Sequence, residues 1–260
     1  SYGIFISSVC DSVKISGNLI GVKKDLSGAF PLPNHNNGSV YISGACNSII
    51  GGDTPEEGNI IAGNQTFQFT GGSAAPYTIE VYNNFLNTDP SASQTYFGGS
   101  RGIWIRSADP NRTIIIGAPG KGNFFAGVSY GIHAEGNGEL IVENNTFSGN
   151  LNNGYNSGGG INFYGTAGAT VPITIRNNYF GASDSDPYFG LKTIGGSYGI
   201  NNGVDGDITI EGNYFNQNSF GIVQTVGNAV TRQDVSNDIH PGFTRVGGAN
   251  PLTGSLCNGI

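Results

Sequence analysis

An asparagine followed two residues later by a large apolar residue, usually with Gly or Asn just before it, recurs eight times along this chain. The copies are Asn18-Leu-Ile20, Asn59-Ile-Ile61, Asn84-Phe-Leu86, Asn123-Phe-Phe125, Asn145-Thr-Phe147, Asn178-Tyr-Phe180, Asn213-Tyr-Phe215 and Asn258-Gly-Ile260. Successive copies are separated by 22 to 45 residues. A fixed signature with elastic spacing is what a solenoid leaves in a sequence, because each coil repeats while its loops vary in length.

Two other strand signals precede the motif in most coils. The first opens with a small residue and alternates: Gly3-Ile-Phe-Ile6, Ser39-Val-Tyr-Ile42, Gly102-Ile-Trp-Ile105, Gly131-Ile-His-Ala134, Gly160-Ile-Asn-Phe163, Gly199-Ile-Asn201 and Gly221-Ile-Val223. The second reads Val13-Lys-Ile15, Ile114-Ile-Ile116, Leu140-Ile-Val142, Ile173-Thr-Ile175 and Ile208-Thr-Ile210. Both have period two, so one face of each strand is buried. Three short strands per coil, without helical periodicity, predict an all-β parallel β-helix of about seven to eight coils. The reading covers residues 1–260 as a single solenoid domain, itself a segment or subunit of a longer assembly. Residues 22–38, 87–100 and 181–197 are Gly-, Ser-, Asp- and Pro-rich. They are expected as variable loops on one corner.

Asn has a physical role at this place. It tolerates a left-handed backbone at a tight corner, and its amide can bond to the Asn one coil above and below. The expected ladder is Asn18, Asn59, Asn84, Asn123, Asn145, Asn178, Asn213 and Asn258, with the apolar residue two positions on pointing inward. Cys10 and Cys46 occupy the same place in two consecutive coils. Stacked coils lie about 4.8 Å apart, within reach of a disulfide; two stacked buried thiols fit the spacing equally well. Cys257 is left over.

Composition narrows the function classes. Charged residues make up 11% of the chain, about half the usual share. The 15 Phe and 12 Tyr, with many Ile and Val, supply a core that a disordered chain lacks. A net charge of −7 argues against nucleic acid. No apolar run approaches the roughly 20 residues of a membrane helix, so no membrane insertion is expected. The chain opens at Ser1 without Met, which suits a mature or excised segment. Low charge and Asn richness fit an extracellular or cell-surface location.

The pattern Asn47-Ser-Ile-Ile-Gly-Gly-Asp-Thr-Pro-Glu-Glu-Gly-Asn-Ile-Ile-Ala-Gly-Asn64 returns as Arg112-Thr-Ile-Ile-Ile-Gly-Ala-Pro-Gly-Lys-Gly-Asn-Phe-Phe125, and more loosely over Thr244–Ile260. It resembles the right-handed parallel β-helix repeats of large secreted and cell-surface bacterial proteins, within the pectin-lyase-like group of folds. The resemblance implies fold and handedness. It does not imply one function, because that fold hosts lyases, hydrolases, phage tailspikes and adhesins.

Polygalacturonase-like hydrolases of the group use Asn-Thr-Asp, a paired Asp-Asp, a Gly-His-Gly and an Arg-Ile-Lys. This chain has Asn87-Thr-Asp89 alone, directly after a corner, where it reads as a turn. Pectate-lyase-like enzymes need a calcium site of several carboxylates. Asp184, Asp186, Asp205 and Asp207 are the carboxylates to consider, and each also reads as a turn residue. No metal site, cofactor or catalytic residue is therefore assigned. The outward positions of the first strand read Phe5, Tyr41, Glu80, Trp104, His133, Asn162, Asn201 and Val223. Of these, Tyr41, Glu80, Trp104 and His133 form a candidate glycan-contacting strip. The plainer reading is a row of solvent-facing strand residues. The outward positions of the second strand read Lys14, Ile50, Ile115, Ile141, Thr174 and Thr209, an apolar stripe that serves an interface or is covered by loops.

The expected function is an extracellular structural or adhesive β-solenoid, with its own copies as partners, end to end in a fibre or side by side, and polysaccharide as candidate ligand. A polysaccharide-active lyase or hydrolase, or a tailspike-like protein, is the first rival. A non-catalytic glycan-binding module is the second.

Overall fold

The computed structural model describes residues 2–7, 10–27, 39–44, 46–73, 75–91, 96, 99–106, 109–135, 138–148, 159–164, 172–180, 198–202, 207–215, 220–224 and 232–239. Over these residues the chain is a parallel β-solenoid with no α-helix and one 3-10 turn, Pro55–Glu57. The first sheet stacks Ile4–Ile6, Val40–Ile42, Gln65–Phe69, Gly99–Ile105, Val128–Ala134, Gly159–Phe163, Tyr198–Asn202 and Phe220–Gln224. The second runs through Cys10–Ile15, Cys46–Gly51, Tyr77–Tyr82, Arg112–Ile116, Glu139–Glu143, Ile173–Arg176 and Asp207–Phe215, which also pairs with Arg232–Ile239. The third stacks Leu19–Ile20, Ile60–Ile61, Phe85–Leu86, Phe124–Ala126, Thr146–Ser148 and Tyr179–Phe180. It merges into the second because Asp207–Phe215 turns the corner without a break.

Alternation explains the strands. Arg112–Ile116 and Ile173–Arg176 bury every second residue. Their inward residues meet those of the other two faces in one core that runs coil to coil. On the third face Ile61, Leu86, Phe125, Phe147 and Phe180 are all buried. The three Phe rings form a continuous stack, 4.6 Å between Phe125 and Phe147 and 4.8 Å between Phe147 and Phe180.

The small residue that opens the first strand has its cause in that stack. A Cβ on Gly102 would lie 2.8 Å from Phe125 Cδ1, and one on Gly131 would lie 2.4 Å from Phe147 Cδ1. The coils that carry Ile61 and Leu86 in place of Phe accept Ser39 and Thr66 at the same register, both buried. A Cβ on Gly3 would likewise lie 2.8 Å from Ile20 Cγ2, so in the coils of Gly3, Gly102 and Gly131 the third-strand core residue occupies the space that a first-strand Cβ would need.

The asparagine ladder is present from Asn18 to Asn213. The side-chain amide of each Asn donates to the Oδ1 of the Asn in the next coil, at 2.8 to 3.1 Å, through Asn18, Asn59, Asn84, Asn123, Asn145, Asn178 and Asn213. The main-chain N–H of each donor makes a second bond to the same oxygen. From Asn59 onward each amide also reaches back to a carbonyl at the end of the previous coil's second strand, from Ile15 to Ile175. Asn258 lies outside the described residues.

One expectation is corrected. The left-handed residue at the corner is the one before the ladder Asn: Gly17, Asn83, Asn144, Asn177 and Gly212, with φ between 55° and 67°. The ladder Asn is held by its hydrogen bonds instead. In the two coils with longer corners, Gly51 (φ 90°) and Gly117 (φ 80°) make the turn earlier. There Gly58 and Gly122 precede the Asn because a Cβ on either would lie 1.9 Å from the carbonyl oxygen of Asn83 or Asn144.

Two insertions meet on one side, where the Tyr96 hydroxyl donates to the Leu26 carbonyl at 3.2 Å; residues 181–197 lie outside the described chain. Cys10 faces Cys46 in the parallel register, and Cys46 is disulfide-bonded. Cys257 lies outside the described residues.

Candidate functional site

On the first sheet Phe5, Tyr41, Gln68, Trp104, His133 and Asn162 share one register position, which continues along the backbone through Asn201 and Val223; Gln68, His133 and Asn162 are buried there, whereas Phe5, Tyr41 and Trp104 are partly or well exposed. Glu80 is not part of this row. Glu80 lies on Tyr77–Tyr82 in the second sheet, opposite Ile49 and Ile115. The first-sheet strand of that coil is Gln65–Phe69, whose Gln65 and Thr66 stand where other coils carry polar residues and Gly. The second-sheet stripe is corrected likewise. Its outward residue is Ile49, 36% exposed, whereas Ile50 is buried in the core. The stripe therefore reads Lys14, Ile49, Glu80, Ile115, Ile141, Thr174 and Thr209, and two charges interrupt it.

Stacking orders one end of the row. Tyr2, Phe5 and Tyr41 lie nearly parallel with centroids 4.8 to 5.2 Å apart, and Phe5 is 53% exposed. The Tyr41 hydroxyl shares a 2.8 Å hydrogen bond with Thr70.

The centre of the row is denser. Trp104 is half-buried, with the Arg101 guanidinium 4.1 Å and the Arg106 guanidinium 4.3 Å from its ring centre. Such contacts attract the cation to the ring's negative face. Burial pulls the Arg101 pKa below its ordinary value, opposed by the Glu135 charge. The Arg101 Nε and Trp104 Nε1 donors are shielded from water and meet no acceptor.

His133 is buried beside this cluster, among Tyr130, Tyr164 and Trp104. The Asn162 amide donates to Nδ1 at 2.7 Å, which leaves the proton on Nε2 for Glu135 Oε1 at 2.9 Å. Burial lowers the His133 pKa, the Arg101 charge lowers it further, and Glu135 only partly offsets them. The folded protein therefore holds a neutral imidazole. Its stabilising share is full above the unfolded value of about 6.5 and is lost as pH falls from there through the lower folded value, because over that range the unfolded chain binds a proton the folded one resists. The urea midpoint should drop more between pH 8 and pH 5 in the native protein than in His133→Gln. Equal drops would show that this imidazole titrates normally.

The remaining candidates do not join the cluster. Asn87 takes a left-handed backbone (φ 60°) and clasps both main-chain groups of Gly63, while the Asp89 carboxylate accepts from Ser91 N–H. Asn87-Thr-Asp89 is thus a turn. Asp184, Asp186 and Asp205 lie outside the described residues, and Asp207 opens a second-sheet strand. Among the described residues no group of three or more His, Cys, Asp or Glu side chains could hold a metal ion. No described helix is long and apolar enough to cross a membrane. Arg112 and Asp109 are buried at a corner with Tyr77, whose hydroxyl pKa is pushed up to about 12 chiefly by burial. This cluster faces inward and closes the corner.

Sequence alternation found Trp104 and His133 but missed Arg101, Arg106, Tyr130, Glu135 and Tyr164. The available signal was two Arg residues flanking Gly102-Ile-Trp-Ile105 in a chain with 11 Lys and Arg in all. No protein-family model, curated protein or solved structure matches this chain. Aromatic faces and guanidinium donors lie along the first sheet, parallel to the solenoid axis.

Proposed function

We propose that this chain is an extracellular structural and adhesive β-solenoid that holds saccharide on the outward face of its first sheet. The observation that supports it is the series of accessible rings along the first sheet, Phe5, Tyr41, Trp104 and Tyr164, with Arg101 and Arg106 against Trp104. Rings set along the axis in steps of whole coils, each about 4.8 Å, suit a linear oligomer lying along it. A rigid scaffold limits the ordering cost of binding. The reading of the chain as a non-catalytic glycan-binding module shares this support and differs only in the load the solenoid bears.

Immobilised chain on a glycan array, with mass spectrometry of the bound sugars, tests the proposal. A restricted set of saccharides retained with unchanged mass is the expected result. Shortened or unsaturated products would convert the reading to that of an enzyme, and retention of no saccharide would overturn the adhesive role.

A further inference from the structure

We infer that Arg101, Trp104 and Arg106 form the binding site for an isolated acidic group, carboxylate or sulfate, on an otherwise neutral saccharide. The inference rests on the saccharide-binding reading above and names the ligand chemistry of its central site.

Lys14, Lys121 and Arg176 each hold a carboxylate, on Glu57, Asp53 and Glu143. Arg101 and Arg106 instead converge on one indole. Among the described residues neither side chain makes an ion pair or a hydrogen bond. Glu135, the carboxylate whose charge Arg101 feels, is already engaged by His133 Nε2. The Arg106 charge opposes that of Arg101, and an anion bound beside them relieves that repulsion.

Guanidinium nitrogens only donate, and so does the indole N–H. Arg101 Nε and Trp104 Nε1 are shielded and lack acceptors, which leaves the terminal guanidinium N–H groups to meet a ligand. A planar guanidinium held against an aromatic face presents its fork in a fixed direction, which suits two-point bonding to the oxygens of a carboxylate or sulfate.

The chain carries −7 overall, so a dense polyanion is repelled before it reaches this site. One acidic group on a neutral sugar meets the local cations without that opposition. Tyr164, 67% exposed beside His133, offers a ring for the sugar's apolar face.

Trp104 is the only Trp in the chain, so its emission reports this site alone. The test titrates the intact protein with four probes: a neutral oligosaccharide, the same oligosaccharide bearing one uronic residue, the same bearing one sulfate ester, and a polyuronate. The expected result is a shift of Trp emission with at least one singly acidic probe, bound about tenfold or more tighter than the neutral parent. That preference should be lost in Arg106→Gln, which alters an exposed residue. It should weaken in Arg101→Lys, which keeps the charge and loses the fork. Whichever singly acidic arm is tighter assigns the group as carboxylate or sulfate. The inference is overturned if the neutral parent binds as tightly, if the polyuronate binds tightest, or if Arg106→Gln with an unchanged melting temperature keeps the preference. In those cases array retention still supports the saccharide-binding reading. Retention of nothing on the array removes both.

Discussion

Replacing Phe147 with alanine should lower folding stability by about 3–5 kcal/mol, the range for deleting a buried aromatic side chain. Phe147 is 2% exposed and is the middle ring of three, within 5 Å of Phe125 and of Phe180, with interplanar angles of 12° and 6°. Its loss breaks two ring contacts at once, each about 0.5–1.5 kcal/mol beyond simple area burial. The cavity cannot close easily. Its neighbours are the other two rings and the backbone at Gly131, fixed by the first-sheet register with Arg101–Ile105 and Gly159–Phe163. A solenoid adds one consequence, because each coil touches only its neighbours. A gap in the middle weakens the coupling between the coils on either side, so the urea transition should broaden or split as well as shift. A loss below about 1 kcal/mol, the ordinary cost of a point substitution, would mean that the stack contributes little.

The ladder and the Phe column were legible because both repeat at one place in every coil. The opening glycines were legible as a pattern, but their cause was not. It lies in the clash of a Cβ with Phe125 or Phe147 across the core, a contact between residues more than 15 positions apart. The strand Gln65–Phe69 is hidden in the sequence because Thr66 stands where other coils carry the opening Gly, and Tyr77–Tyr82 alternates well enough to take its place. That substitution carried Glu80 onto the wrong sheet. The site shows the same limit. Trp104 and His133 follow strict alternation from Ile103 and Ile132. Arg101 does not, because Gly102 and Ile103 are both buried in succession and the parity of the strand changes there. Glu135 and Tyr164 sit just past the last strand residues, Ala134 and Phe163, where alternation no longer informs.

Asn145→Ala should cost about 3 kcal/mol or more, since each buried polar group left without its partner costs roughly 1–3 kcal/mol. Asn145 is 1% exposed, and its oxygen accepts from both the main-chain N–H and the side-chain amide of Asn123, at 3.0 and 2.9 Å. Its amide donates to Ile116 O, Glu143 O and Asn178 Oδ1. Alanine abandons all of these at once, in the interior of the stack where water does not replace them. Asn145→Asp separates the two halves of the role. The carboxylate keeps the acceptor that Asn123 needs, but it turns an oxygen toward the carbonyls of Ile116 and Glu143 and buries a charge. At neutral pH the aspartate variant should therefore be less stable than the alanine one. The burial and the facing carbonyls raise the folded pKa of such an aspartate above its unfolded value of about 4. Its penalty is then full above the folded pKa and fades as pH falls toward the unfolded one, where the protonated acid can donate to a carbonyl again. Chemical denaturation of both variants from pH 7 to pH 4 should show the gap between them closing or reversing. A constant gap, or an alanine variant within 1 kcal/mol of the native protein, would mean that the ladder is held in place by the coils and does little to hold them.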